Sequence, residues 1–209
     1  MKRLISIFVL LSFYFFQSVS AQSLVIAEIQ KNSSLTINGS TNVLSFKIHQ
    51  DGDKLSRSKM SVITRQNQNQ TFVSQNQLSV IVKNFASTNL MALKDFLKLI
   101  KSDAYPTLQV QLNYLDLQPI NQKEKTIYNG KALVSITITG KTKQYSIPIT
   151  FINNGDEVYT VNGSKKLSTK DFDLTPETKM MGMIKVSEWI NIDFHIIYKI
   201  SSSEVLAKL

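Results

Sequence analysis

Between Ile190 and Tyr198, apolar and polar residues alternate without a break. Ile190, Ile192, Phe194, Ile196 and Tyr198 fall on one face, and Asn191, Asp193 and His195 on the other. Successive strand side chains point to opposite sides, so this stretch predicts a long strand with one buried face. The same period recurs along the chain. Leu35 and Ile37 share a face, as do Leu44, Phe46 and Ile48, then Leu78, Val80 and Val82. The second half repeats it with Leu108, Val110, Leu112 and Tyr114, with Ala132 through Ile138, and with Tyr145, Ile147, Ile149 and Phe151. Asn38-Gly39, Asn129-Gly130, Gly140, Asn154-Gly155 and Asn162-Gly163 fall between these runs and predict tight hairpin turns, because type I′ turns need positive φ. Pro148 cannot donate to a ladder, so it belongs at a bulge, a rim or an edge.

One helix interrupts the series. Leu90, Leu93, Leu97 and Ile100 form an apolar stripe, with Phe96 beside it. Ser87 or Thr88 can cap its start, Lys98 and Lys101 suit its C-terminal dipole, and Pro106 stops it. The expected fold class is therefore mainly β: a sandwich, or an antiparallel up-and-down barrel of about eight strands, with one amphipathic α-helix.

Composition narrows the chemistry. The 209 residues contain no cysteine, which excludes disulfides, thiol nucleophiles and cysteine metal sites, and only two histidines, which excludes a three-histidine site. Met1 to Ala21 reads as a secretory signal peptide: Lys2 and Arg3, an apolar run from Leu4 to Phe16, then small residues before Gln22. Residues 22–209 would remain as a single domain with no stretch able to span a bilayer. The net charge of +9 comes from dispersed lysines, a solvated surface or an attraction to anionic head groups or a membrane surface. No Arg-rich or aromatic-interleaved patch suggests nucleic acid. Asp171, Asp173, Glu177 and Asp193 are the one acidic group worth weighing for acid–base work, but no histidine joins them. There is no G-x-S-x-G, H-E-x-x-H or Walker motif, so no enzyme and no cofactor is expected. Gln66–Gln70 reads as a polar hairpin tip or exposed loop.

Several pieces, taken in order, resemble the YceI-like family of exported, lipocalin-like barrels that bind polyisoprenoid lipids. Gly39-Ser40-Thr41-Asn42-Val43 followed by Ser45-Phe46 is similar to the family's early strand. Leu93 to Pro106 is similar to its helix, and Leu108 to Leu112 to the strand after it. Gly140-Lys141-Thr142-Lys143 resembles its turn, and Phe172 with Pro176 and Met180 to Lys185 its late segment. Leu44 stands where many relatives carry histidine, and the stretch from Leu115 to Thr126 is unusual. The resemblance implies a closed barrel, a helix packed at one side, and an elongated apolar cavity for a long apolar small molecule such as an isoprenoid.

Phe46, Val80, Val110, Leu112, Tyr114, Val134, Ile136, Ile149, Phe151, Phe194 and Ile196 are the candidate cavity residues. Alternation alone leaves two readings, a filled core or a lined cavity. Tyr105, Tyr114, Tyr145 and Tyr198 are candidates to place hydroxyls near a head group. Met180, Met181 and Met183 form an adaptable cavity lip or fill gaps under a turn. The alternative function is an envelope module that binds a protein or glycan around a solid core. The oligomeric state is left open, a homodimer included.

Overall fold

The computed structural model describes residues 22–55, 59–67, 70–74, 76–120 and 126–202, so the expected leader Met1–Ala21 lies outside the described residues. Strand β1 (Gln22–Ile29) pairs with β4 (Lys59–Asn67), β4 with β5 (Gln70–Ser74), and β5 with β7 (Thr107–Ile120). A meander follows through β8 (Ile127–Ile138), β9 (Lys141–Asn153) and β10 (Val158–Ser168) to β13 (Trp189–Ser202). At one end β13 returns to the first strand, with Tyr198 to Ser202 beside Ile29 to Val25. Every pairing on this eight-strand circuit is antiparallel.

Three shorter strands extend the same wall to eleven strands. The strand β2 (Ser34–Ser40) continues along β13, and β3 (Ser45–Asp51) pairs with β2. Farther on, β6 (Leu78–Ile81) takes the place of β5 along β7. Among the described residues β3 and β6 do not pair with each other, and a single bridge between His49 and Ala86 joins the two sides. The sheet is thus not closed along its whole length. It meets itself at the β1 end and stands open beside the helix Leu90–Leu99. A separate two-stranded hairpin, β11 (Thr178–Lys179) and β12 (Ile184–Lys185), stands at the open end.

Several local expectations change. Gly39, Gly130 and Gly163 lie inside β2, β8 and β10, not in turns. A Cβ on Gly39 would collide with the ring of Phe46, and one on Gly163 with the ring of Phe194, their cross-strand neighbours. A Cβ on Gly130 would meet the Asp116 carbonyl. These glycines permit close approach across the sheet. Positive φ is used where the chain does turn, at Thr139-Gly140 between β8 and β9, and at Gly155 to Glu157 between β9 and β10. The helix is capped by Asn89, whose side chain accepts from the Ala92 amide, and not by Ser87 or Thr88. Leu90 stays exposed, while Ala92 and Ile100 are buried and Phe96 meets Phe85 edge-on at 5.4 Å. Val82 opens a 3-10 turn and does not extend β6, and β7 runs on to Ile120.

Pro148 sits where it must. It opposes Lys131 on β8, but the β9–β10 ladder stops at Ile149–Gly163, so its missing N–H lies on an unpaired flank. That flank is bridged by side chains: Lys165 Nζ donates to the Ser146 carbonyl at 3.1 Å, and the Tyr145 hydroxyl donates to Asp171 at 2.9 Å. A second gap, between β5 and β6, is spanned by Asn76. Its amide accepts from the Leu112 N–H and donates to the Leu112 carbonyl, both at 2.7 Å, reproducing the two bonds a strand residue would make.

Candidate functional site

The inward faces of the strands enclose a cavity of about 950 Å³. That is near the top of the roughly 300–1,000 Å³ span of small-molecule sites. Its walls come from the alternating positions: Ala132, Val134, Ile136 and Ile138 on β8, Ile147, Ile149 and Phe151 on β9, and the even-numbered face of β13 from Ile190 to Ile200. The helix contributes Ala92 and Phe96 and its C-cap Ile100, and Phe172 and Leu174 cover the same end. At the opposite end Val25, Ala27, Val62 and Tyr198 line it, beyond which β1 and β13 are hydrogen-bonded.

Ten of the eleven sequence-predicted residues line this cavity: Phe46, Val80, Val110, Leu112, Val134, Ile136, Ile149, Phe151, Phe194 and Ile196. Tyr114 does not. The β7–β8 register shifts between Leu112 and Tyr114, so Leu112 opposes the inward Val134 but Tyr114 opposes Leu133. An extra residue in one strand exchanges its two faces beyond that point. Tyr114 packs instead on the exposed Phe72, ring centroids 5.8 Å apart, and Leu115 and Leu117 take over the inner face. The apolar positions 112, 115 and 117 carry that phase change in the sequence itself.

Polar groups on the cavity wall are few. Lys165 lies on the inward register of β10, with its ammonium 5.9 Å from the Tyr145 ring centroid. The Thr169 hydroxyl is buried without a hydrogen-bond partner among the described residues, and Thr169 lines the cavity. An unpaired buried hydroxyl costs about 1–3 kcal/mol, and with almost no accessible surface on its oxygen the group stands behind the cavity wall and is not open to a ligand. Tyr198 also lines the cavity, and burial pushes its phenol up to about 12, so it stays neutral. Tyr145 is likewise held well above the usual range, first by burial and then by its bond to Asp171.

The four acidic residues singled out from sequence are dispersed. Asp171 accepts from Tyr145, and Asp173 pairs with Lys141 at 2.7 Å, which holds its carboxyl below the ordinary range. Glu177 pairs with Lys98 at 2.7 Å, and its hydrogen bond raises the lysine. Asp193 accepts from Asn38 and Asn191. His195 faces Asn162 across the β10–β13 pairing, and no group of three metal-ligating side chains occurs among the described residues.

Met180, Met181 and Met183, the lip expected from sequence, do not line the cavity, and other residues frame its opening. The β2–β3 turn supplies Val43 and Leu44, the start of the helix supplies Asn89 and Met91, and Pro176, Glu177, Ile184 and Val186 complete the rim. Exposed apolar side chains at turns were the available signal.

Two solved structures share this architecture. BcnA of Burkholderia cenocepacia is 17% identical, with a TM-score of 0.56 over 81% of this chain and 99% of that one. A polyisoprenoid binding domain from Saccharophagus degradans, implicated in plant cell wall breakdown, is 9% identical, with a TM-score of 0.59 over 83% of this chain and 97% of that one. At such identities the likeness is one of fold. No curated protein matches the chain. The YceI-like domain model matches residues 16–198, nearly the whole of the described chain, and the protein belongs to that family.

Proposed function

We propose that this protein is an exported, non-enzymatic carrier that holds a long apolar molecule of the isoprenoid type in its cavity. The observation that supports this most directly is the cavity itself: about 950 Å³ walled by the inward residues of the strands, where a solid core was the alternative. Burial of apolar surface contributes about 0.8 kcal/mol per methylene, hence about 4 kcal/mol for a five-carbon isoprenoid unit. Two units approach the roughly 8 kcal/mol of micromolar binding, before ordering costs, with no hydrogen bond required. The polar end of such a ligand would lie near Lys165, the cation on the inward register of β10. The Saccharophagus domain, named for polyisoprenoid binding, supports the choice of ligand class.

Titration with a fluorescent prenyl alcohol analogue tests the proposal. Saturable uptake, reversed by unlabelled long-chain prenyl alcohols, is the expected outcome. Absence of uptake, with the fold intact by circular dichroism, would return the protein to the class of surface-binding modules.

A further inference from the structure

The opening of the cavity is framed by apolar side chains that the fold leaves in solvent. Val43 and Leu44 in the β2–β3 turn are exposed, and so is Met91 at the start of the helix, and all three line the opening. Beside them stands the β11–β12 turn with Met180, Met181 and Met183, of which Met181 has no burial at all. The hairpin is fixed to this rim. Asn42 accepts from the Lys185 amide at 2.9 Å and donates to the Met183 carbonyl at 2.9 Å, and Thr41 bridges Val186. The methionine turn is therefore a held feature of the rim.

Its backbone is unfavourable for these residues. Met183 N–H donates to the Met180 carbonyl, and Met181 and Gly182 adopt φ of 54° and 91°, the two positive angles of a type I′ turn. Asparagine or aspartate usually takes the first of those places, and left-handed backbone is costly for a larger side chain. Met180, also at positive φ, adds to the cost. A soluble hairpin gains nothing from projecting methionine here, whereas a turn that enters an apolar phase does.

Charge identifies that phase. With Lys2 and Arg3 of the expected leader set aside, the net charge of +9 falls to +7 and stays strongly positive. Lys94, one turn along the helix from Leu90 and Met91, and Lys185, beside the methionine turn, are exposed and have no carboxylate partner among the described residues. Apolar residues at the tip with lysines behind them form the pattern of a surface that dips into an anionic bilayer.

We infer that the rim built from the β2–β3 turn, the helix start and the β11–β12 methionine turn docks on an anionic lipid bilayer, opening the cavity toward its cargo. This rests on the carrier reading, and it adds where loading takes place. Flotation of the full chain with phosphatidylcholine–phosphatidylglycerol vesicles tests it, alongside uptake of the fluorescent prenyl analogue in the absence of vesicles. The wild-type chain should float with these vesicles at low ionic strength. Binding should fall at about 1 M salt, where the Debye length is about 3 Å. The variant M180S/M181S/M183S should bind vesicles at least about tenfold more weakly with unchanged analogue uptake, since none of the three residues lines the cavity. K94Q/K185Q should lose about fivefold per lysine on the anionic vesicles. Failure of the wild-type chain to float, or equal flotation of the methionine variant, overturns the docking inference. If analogue uptake persists in that case, the carrier reading stands and the rim belongs to a protein partner or a second copy. If the chain floats but takes up no analogue, it is the carrier reading that falls.

Discussion

Replacing Ala132 with leucine separates a cavity from a filled core by the sign of its effect. Ala132 is buried on the inner face of β8, opposite Leu115 on β7 and Ile147 on β9, and lines the cavity. Leucine adds three carbons, which would contribute about 2.4 kcal/mol if fully removed from water on folding, less about 0.5–1 kcal/mol of rotamer entropy. With space in front of the β8 face, the ligand-free protein should be stabilised by up to about 1.4–1.9 kcal/mol. A close-packed core would instead lose about 1–3 kcal/mol to overpacking. Urea unfolding followed by circular dichroism reads the difference through the midpoint at constant slope. The same variant should bind the prenyl analogue more weakly, because the leucine occupies ligand volume. A stability loss above about 1 kcal/mol would mean that the β8 face is close-packed and no cavity stands before it, whatever the effect on binding.

Further consequences concern the wall. Asn76→Ala should cost about 2–3 kcal/mol in urea unfolding, because it strips both backbone partners from Leu112 where β5 gives way to β6. Gly163→Ala should destabilise by about 1–3 kcal/mol, because its Cβ meets the Phe194 ring. In the double variant with Phe194→Leu the two losses should be less than additive, as measured by a double-mutant cycle. Tyr198 titrates near 12 when folded against about 10 unfolded, so between those values the folded state holds more protons and stability falls as pH rises. Tyr198→Phe should flatten that part of the pH–stability profile.

Much of the wall was legible because a half-buried strand has an unambiguous period. The β8, β9 and β13 faces came out as expected, down to the residues on the cavity side. Legibility ended where one residue changed the phase. The bulge near Asn113 moved Tyr114 outward, and its signal was the step from Leu112 to Leu115 in the apolar series. Glycines misled for a related reason. Asn-Gly pairs suit hairpins, but Gly130 and Gly163 serve interstrand approach, which depends on a neighbour distant in sequence. Asn76 was out of reach, since nothing local reveals that its amide stands in for a missing strand. That the inner faces leave space between them is a matter of barrel radius, and alternation carries no information about it.

Native mass spectrometry of the protein purified from its own cells, followed by organic extraction and lipid analysis, distinguishes a loaded carrier from an empty barrel. The carrier account predicts a reproducible bound mass that is lost on extraction and proves to be a prenyl lipid. An empty protein that also fails to take up prenyl lipids added in excess would contradict it.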